Sequence, residues 1–319
     1  MTKSLQKRYF IAGHNGMVGS AILRKLNSKP NNEIITANKS EVNLLNKIEV
    51  DNFFEKNKPN IVILAAGRVG GIKANSNNQA LFLYENLMIQ NNVMLAAANS
   101  GVEKLLFLGS SCIYPRESKQ PIKEEYLMQG PLEATNEGYA LAKISGIRLA
   151  KYLFESTDMQ SICPIPCNLY GQNDNYDKEN SHVLSALVRR FVDAAEEKKD
   201  NEILWGTGSP RREFLNVEDA ANAFLLLLEK WESPEHVNVG AGEDISIKEL
   251  AEKIALKAGY KGKISWTNSV KENGMQKKLL DTSKIRKLGF SPKISLDKGI
   301  ELMIKSYKDI KSDLENKNY

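Results

Sequence analysis

Residues 10–19 read Phe-Ile-Ala-Gly-His-Asn-Gly-Met-Val-Gly. The apolar residues before Gly13 predict a strand, and the residues after Gly16 predict a helix. Gly13 permits the tight turn, Gly16 lets a pyrophosphate approach the backbone, and Gly19 allows the helix to pack closely on the sheet. Because the helix N-terminus then faces the phosphates, this stretch predicts a dinucleotide site. The residues assigned to it are Gly13, Asn15, Gly16, Met17, Val18 and Gly19.

Working outward, the first 110 residues alternate short apolar runs with longer amphipathic stretches, a pattern typical of a parallel sheet wrapped by helices. The predicted strands are Arg8–Ala12, Glu33–Ala37, Ile61–Ala65 and Lys104–Leu108. The predicted helices are Val18–Leu26, Lys47–Asn57 and Leu81–Asn99, which are long enough for right-handed crossovers. We therefore expect an α/β fold with a doubly wound, Rossmann-type parallel sheet. Ala65 and Ala66 are also assigned to the cofactor site.

The sequence changes in character after about residue 170, where loops and helices predict a smaller substrate lobe. We expect a strand end and helix over Phe214–Glu229 to rejoin the nucleotide-binding sheet. The other predicted segments are the polar loop Gln172–Ser181, the helix His182–Glu197, the turns of Trp205–Arg212, and the helices Ser246–Tyr260 and Leu296–Lys308. The expected division is an NADP-binding domain of residues 1–172 plus about 213–240, and an interleaved substrate lobe of residues 173–212 and 241–319.

Composition argues against several classes of protein. The chain is 42% hydrophobic and 26% charged, and none of its apolar runs approaches the roughly 20 residues of a membrane-spanning helix. No secretory signal is evident, so we expect a cytoplasmic location and no membrane partner. The net charge of +5 is spread along the chain, which favours a small anionic ligand over nucleic acid. Three cysteines and three histidines predict neither a disulfide framework nor a metal site.

The tip of the second predicted strand bears on the choice of cofactor. An acidic residue there would bind the ribose 2′-hydroxyl of NAD, and a basic one would meet the 2′-phosphate of NADP. The residues are Ala37, Asn38 and Lys39, with no carboxylate among them. Lys39 therefore favours NADP(H), although a solvated surface lysine is the simpler alternative.

Tyr139 and Lys143 lie four residues apart, which places them on one face of a helix. Lys143 can lower the pKa of the phenol and bind the nicotinamide ribose, making Tyr139 a proton donor to a developing alkoxide. This pair predicts carbonyl-reductase chemistry. The same spacing also arises by chance in many helices, so the prediction depends on the glycine turn upstream.

Ser110 and Cys112 follow an apolar strand and, two residues apart on extended backbone, would point together into the cleft while Ser111 points away. Ser110 would then bind the substrate carbonyl beside Tyr139. The Cys112 thiol is a candidate base toward a carbon acid next to a ketone. The alternative is a small buried apolar residue, which is how we interpret Cys163 and Cys167.

His182 follows Asn180 and Ser181, a natural helix cap, and is expected in the first turn of a helix at the edge of the second lobe. An imidazole there titrates in the working pH range and would complement a Cys112 base as the acid. A structural or surface histidine is the alternative.

Taken together, these motifs resemble the GDP-L-fucose synthases, which belong to the extended short-chain dehydrogenases. The combination of Ser-Ser-Cys, the histidine and the Trp-Gly-x-Gly loop is more specific than the glycine turn. The similar stretches are GHNGMVGS (13–20), VGGI (69–72), LFLGSSCIYP (106–115), YALAKI (139–144), NLYG (168–171), HVLSALVRRF (182–191) and WGTGSPRREFL (205–215).

The resemblance implies an NADP(H)-dependent enzyme that acts on a GDP-linked 4-keto-6-deoxy sugar and forms a homodimer through paired helices beside the sheet. It implies Ser110, Tyr139 and Lys143 for reduction, with Cys112 and His182 as base and acid for epimerisation at C3 and C5. The residues that it implies for binding the GDP sugar are Arg190 and Arg212 at the pyrophosphate, together with Asn168, Trp205 and Lys278.

Some positions depart from the family pattern. Asn15 and Ala37 stand where the family usually has arginines that contact the 2′-phosphate of NADP, and Cys167 and Lys277 also differ. The leading hypothesis is a bifunctional epimerase-reductase. One alternative is a C4-reductase for a related GDP-4-keto-6-deoxy sugar such as a heptose, and another is a non-catalytic sensor of NADP and sugar nucleotides.

Overall fold

The computed structural model describes residues 7–29, 32–178, 181–269 and 274–316. Its central sheet contains β1 (Lys7–Ala12), β2 (Asn32–Ile35), β3 (Ile61–Leu64), β4 (Lys104–Phe107) and β5 (Gln160–Ile162). The five strands are parallel, in the order β2-β1-β3-β4-β5. All four residues of β3 are buried, as expected for a strand that helices cover on both faces.

Helices cover this sheet on both sides. They are α1 (Met17–Asn27), α2 (Lys47–Asn57), α3 (Ile72–Asn77), α4 (Gln79–Asn99), α5 (Glu137–Ser156) and α7 (Val217–Lys230). The helix between α5 and α7, α6 (Val183–Glu196), belongs to the smaller lobe. Because the strand order reverses between β1 and β3, right-handed crossovers put α1 on one face and α2, α4 and α5 on the other. α7 packs against α1, and α4 packs against α5. The predicted doubly wound α/β fold is confirmed.

The remaining strands form smaller sheets. They are β6 (Pro164–Pro166), β7 (Asn168–Tyr170), β8 (Asn201–Leu204), β9 (Arg211–Asn216), β10 (Val237–Val239), β11 (Asp244–Ser246), β12 (Lys263–Trp266) and β13 (Lys277–Lys278). β9 pairs with β7, β11 and β13, while β6 pairs with β10 and β8 with β12. The register places Lys278 beside Arg212 and Asn168 beside Phe214.

Two clusters of buried apolar side chains support these layers. The larger one surrounds the central sheet and includes the inner face of α7. The smaller one combines α6 with α8 (Ile247–Ala258) and α10 (Leu296–Asn316), and it also takes Phe214 from β9. A short helix, α9 (Ser283–Lys287), lies beside β10. The chain therefore leaves the second cluster after Phe214, contributes α7 to the first, and returns.

Several predicted boundaries differ from the structure. β2 ends at Ile35, two residues before the predicted strand end, and α10 extends eight residues beyond Lys308. The predicted strand end at Phe214 does not rejoin the central sheet, because in the described part of the chain β9 pairs with β7, β11 and β13. Only the following helix, α7, packs against the first core, so that half of the prediction holds.

Two kinds of feature are missing from the described residues. Their helices contain none that is long and apolar enough to cross a bilayer. Their histidine, cysteine, aspartate and glutamate side chains do not gather in groups of three or more that would hold a metal ion.

Candidate active site

The glycine turn lies where the strand order of the central sheet reverses, the usual ligand crevice of such sheets. Gly13 has φ +88°, and a Cβ on it would come within 2.6 Å of the Ala66 amide nitrogen. A Cβ on Gly19 would lie 2.1 Å from the Gly13 carbonyl oxygen, so no side chain fits there. The turn after β1 and the segment after β3 therefore meet through backbone alone.

The N-terminus of α1 suits the phosphates of a dinucleotide. Gly16 caps this helix and offers no side-chain hydrogen bond to its first N–H groups. These N–H groups have no partner within the helix and carry partial positive charge. Met17 and Val18 provide them at the position predicted from sequence, so the residues present fit the pyrophosphate of NADP(H).

Asn15 extends toward the tip of β2, where the adenosine ribose is expected. Its side-chain amide donates a 2.8 Å hydrogen bond to Asn38 Oδ1, and the neighbouring Lys39 is exposed. Sequence analysis missed Glu41, whose carboxylate accepts the Asn38 N–H at 2.7 Å. The local sequence did not predict this position for Glu41, because a turn after β2, rather than the strand itself, brings the carboxylate to the end of β2.

Tyr139 and Lys143 share one face of α5, as predicted. The Lys143 ammonium donates a 2.8 Å hydrogen bond to the Leu108 carbonyl and lies 5.7 Å from the centre of the Tyr139 ring. Burial lowers the pKa of Lys143 to about 8, while the thiols of Cys112 and Cys163 act in the opposite direction. Lys143, which would contact the nicotinamide ribose, is thus already oriented by its hydrogen bond to a backbone carbonyl.

The phenol of Tyr139 differs from expectation, because its pKa is raised rather than lowered. Burial is the main cause, the negative charge of a Cys112 thiolate adds to it, and a hydrogen bond with Ser110 partly opposes it. The effect of burial exceeds any influence of the Lys143 ammonium, which bonds the Leu108 carbonyl. Tyr139 therefore remains protonated and suits the role of proton donor.

Ser110 and Cys112 approach each other for a different reason from the one predicted. β4 ends at Phe107, and residues Ser111–Ile113 form a 3₁₀ turn that Ser110 caps. The Cys112 N–H donates to Ser110 Oγ at 3.4 Å, and Ser111 is buried. Burial raises the pKa of the Cys112 thiol, whereas Lys278, Ser110 and Lys143 lower it, in that order. The thiol is thus close enough to both Lys143 and Lys278 for their charges to affect its pKa.

His182 is the N-cap of α6, and the helix itself starts at Val183 rather than at the histidine. Its imidazole is exposed, and desolvation by the surrounding atoms lowers its pKa from the usual 6.5. Within the described residues, His182 makes no hydrogen bond or ion pair with Cys112. The predicted cap residue Asn180 lies outside the described residues.

Three of the predicted substrate residues meet around β9. Lys278 and Arg212 are register partners, and the Asn168 side chain donates to the Glu213 carbonyl at 2.8 Å. Burial lowers the pKa of Arg212 to about 10 and also lowers that of Lys278. The result is a desolvated pair of cations, which suits a diphosphate or another anionic group.

Arg190 lies in the middle of α6, and Trp205 directly follows the last residue of β8. Arg190 Nε donates to Glu202 at 2.6 Å, and the Trp205 side chain is 65% exposed. The arginine is thus held by an acidic partner, and the indole is accessible for stacking on a ring.

Glu133 is a site residue that sequence reasoning missed. Its carboxylate is close enough to raise the pKa of both Arg212 and Lys278, and its Oε2 atom is buried without a hydrogen-bond partner. It also lies 3.7 Å from Arg116. A single glutamate in a polar loop shows no periodic pattern, so only the fold reveals its position beside the cations.

Comparison with known proteins now decides the family. Residues 9–240 match the NAD dependent epimerase/dehydratase family. The chain belongs to this family. Its relatives include GDP-L-fucose synthase 1 of Arabidopsis thaliana, which is 47% identical over 92% of this chain and 90% of the relative. GDP-L-fucose synthase of Escherichia coli K12 is 45% identical over 92% of this chain and 94% of the relative.

Solved structures of this family have the same fold. A GDP-mannoheptose C4 reductase from Campylobacter jejuni with NADP bound is 35% identical and superposes with a TM-score of 0.88, covering 96% of this chain and 99% of that one. The resemblance to the GDP-L-fucose synthases drawn from short motifs thus extends over nearly the whole chain.

Proposed function

We propose that this protein reduces the C4 ketone of a GDP-4-keto-6-deoxy sugar with NADPH and epimerises C3 and C5, as a GDP-L-fucose synthase. The observation that carries the proposal is the cluster of Ser110, Tyr139 and Lys143 with the Cys112 thiol. The first three residues supply a carbonyl reductase. A thiol beside them adds a base for the carbon next to the ketone.

In the reduction, Tyr139 donates its proton to the ketone oxygen while Ser110 donates a hydrogen bond to the same oxygen. Lys143 holds the ribose hydroxyls next to the nicotinamide. When bound, NADPH supplies the hydride that reduces C4. Because burial keeps Tyr139 protonated, the acid is ready when the substrate enters.

In the epimerisation, the Cys112 thiolate removes a proton from the carbon beside the ketone, and His182 returns one on the opposite face of the ring. Lys278 and Lys143 both favour the thiolate, which offsets part of the effect of burial. Inversion of configuration at C3 and C5 precedes reduction of C4, because the ketone makes the neighbouring C–H bonds acidic.

Binding of the GDP sugar is assigned to the two sides of the cleft. Arg190 and Arg212 hold the diphosphate, and Trp205, Asn168 and Lys278 contact the base and sugar. We assign residues 1–172 plus about 213–240 to NADP binding, and residues 173–212 and 241–319 to the substrate lobe. The two clusters of buried side chains support the main part of this division, but Leu280, Ile285 and Phe290 pack in the first cluster, and Tyr170 and Phe214 pack in the second.

We also propose a cytoplasmic homodimer. Support for the dimer comes from the outer faces of α4 and α5, where large apolar side chains remain exposed. They are Leu81, Tyr84 and Leu95 on α4, and Leu141 and Tyr152 on α5. Free thiols at all three cysteines suit a reducing compartment such as the cytoplasm.

The test uses GDP-4-keto-6-deoxy-mannose and NADPH in deuterated water, with wild type, Cys112→Ser, and Cys163→Ser as a control for loss of a buried thiol. We expect wild type and the control to consume NADPH and to incorporate deuterium at C3 and C5. Cys112→Ser should consume NADPH without that incorporation. A wild type that leaves NADPH untouched would contradict the proposal.

A reductase without epimerase activity is the second candidate, because the similar heptose C4 reductase shares the fold at 35% identity. NADPH consumption by wild type with no deuterium at C3 or C5 would favour it. A parallel assay with a GDP-4-keto-heptose then shows which sugar the enzyme prefers, separately from whether it epimerises that sugar.

A further inference from the structure

Glu213 is a charged residue with no exposed surface, located in the middle of β9 next to Arg212. Burying a carboxylate is costly unless hydrogen bonds replace its hydration. A carboxylate at this position is therefore expected to accept several hydrogen bonds from the protein.

Both carboxylate oxygens accept backbone N–H groups from separate segments of the chain. Oε1 accepts from Gly242 at 2.6 Å, and Oε2 accepts from Leu280 at 3.0 Å. The Ala241 N–H also contributes. A Cβ on Gly240 would come within 2.3 Å of Oε1, so the loop after β10 is pressed against the carboxylate.

These contacts lie next to the residues assigned to the substrate. Leu280 is two residues beyond Lys278, and Arg212 immediately precedes Glu213. The main-chain carbonyl of Glu213 accepts the Asn168 amide at 2.8 Å. One residue thus fixes three segments that carry Arg212, Lys278 and Asn168.

We propose that Glu213 is a positioning residue for the sugar nucleotide, which aligns Arg212, Lys278 and Asn168 through backbone hydrogen bonds without touching the ligand. This role rests on the proposed function, because it presupposes that these three side chains bind the sugar nucleotide. Glu213 is therefore expected to matter for GDP-sugar affinity and not for NADPH affinity.

The charge state of Glu213 connects this role to pH. The charged neighbours are Arg286 of α9, which favours the carboxylate, and the buried Cys167 thiol after β6. Burial, the main cause, raises the pKa of Glu213 to about 7. Above that pH both oxygens accept N–H groups; below it, one oxygen carries a proton that faces a donor. GDP-sugar affinity should therefore fall as pH decreases through about 7.

The experiment measures binding of GDP-mannose, which contains no ketone and cannot react, by calorimetry between pH 6.5 and 8.5, with NADPH binding measured in parallel. Glu213→Gln retains shape and one acceptor oxygen but lacks the charge. We expect about a tenfold weaker affinity for GDP-mannose at pH 8, the effect of one buried hydrogen bond left unmade, with no pH dependence near 7 and unchanged NADPH affinity.

Asp219→Asn is the matched control. Asp219 is a buried carboxylate on α7 that likewise accepts two backbone N–H groups, from Lys293 and Ile294. It should lower the midpoint of unfolding without changing GDP-mannose affinity or its pH profile.

Equal GDP-mannose affinity in Glu213→Gln and wild type would overturn the proposal, as would a parallel loss of NADPH binding. If the variant fails to fold, the wild-type profile decides alone, since affinity that is flat across pH 7 also overturns it. Wild type that binds no GDP-mannose contradicts the proposed function itself, which distinguishes the two failures.

Discussion

Burial keeps Tyr139 in the protonated state that the proposed reduction requires. Desolvation of the phenol opposes its ionisation, and the charge of a Cys112 thiolate would add to that effect. Burial also lowers the pKa of Lys143, whose ammonium donates a hydrogen bond to the Leu108 carbonyl. In the proposed mechanism the phenol is therefore the acid, and the ammonium anchors the nicotinamide ribose.

Replacing Tyr139 with Phe should lower kcat for NADPH oxidation by about 10² to 10⁴, the usual contribution of a general acid. NADPH affinity should remain unchanged, because the hydroxyl is lost while the ring and Lys143 stay. Stopped-flow absorbance with the keto sugar measures the rate, and fluorescence titration measures binding. Tyr152→Phe, at an exposed tyrosine on the same helix, is the control. A kcat within twofold of wild type would remove Tyr139 from the mechanism.

The candidate residues that local spacing predicted, without the family resemblance, are those whose partners lie nearby in the chain. Tyr139 and Lys143 follow from helix periodicity, and Gly19 from the strand-turn-helix order. Cys112 was placed near Ser110 by strand alternation, although a 3₁₀ turn brings them together. Glu133 and Glu213 were not found, because their importance arises from contacts with segments more than 20 residues away.

At the level of elements, the glycine turn and α1 act as one unit in which each glycine meets a different constraint. A Cβ on Gly19 would lie 2.1 Å from the Gly13 carbonyl oxygen, which is far too close. A Cβ on Gly16 would lie 3.4 Å from the same oxygen, which is an ordinary contact distance. Gly19 is therefore required by the fold. Gly16 can accept a methyl group in the protein alone and matters only when a pyrophosphate approaches.

These two glycines give opposite predictions for the same substitution. Gly19→Ala should lower the free energy of unfolding by about 3 kcal/mol, because the methyl group forces the helix away from the turn. Gly16→Ala should retain near wild-type stability and lose NADPH affinity. Urea unfolding and NADPH titration separate the two effects. Equal destabilisation by both variants would contradict this division of roles.

The partner strands of β9 could not be predicted from the sequence. Its apolar residues indicate a strand, and the helix that follows was correctly placed against the sheet. The partner of a strand, however, depends on hydrogen bonds to distant segments, which apolar pattern does not encode. β9 pairs with β7, β11 and β13, and this pairing brings together Arg212, Lys278 and Asn168, the residues proposed to bind the sugar nucleotide.

At the scale of the whole molecule, the outer surface formed by α4 and α5 bears on assembly. On α4, Leu81, Tyr84 and Leu95 recur at helical spacing, so they form one stripe. On α5, Leu141 and Tyr152 lie three turns apart on one face. Contiguous apolar patches of this kind mark interfaces between proteins.

Leu95→Glu should convert the proposed dimer to a monomer, because the charge would be buried between two copies of α4. Light scattering coupled to size-exclusion chromatography gives the mass directly. Ile48→Glu, at a 70% exposed position on α2, is the matched control and should leave the mass unchanged. A wild type that elutes as a monomer at micromolar concentration, or a Leu95→Glu dimer, would contradict the interface.

The passage of the chain from the second apolar cluster into the first and back has a consequence for recombination. Phe214 packs with α6, α8 and α10, and the helix that follows it packs against the central sheet. A single splice point between two homologous genes would therefore divide one of the two clusters between mismatched parents. Exchanging the substrate lobe between relatives needs three junctions, near residues 172, 212 and 240, so a change of sugar preference should arise more readily by point substitution than by a simple crossover.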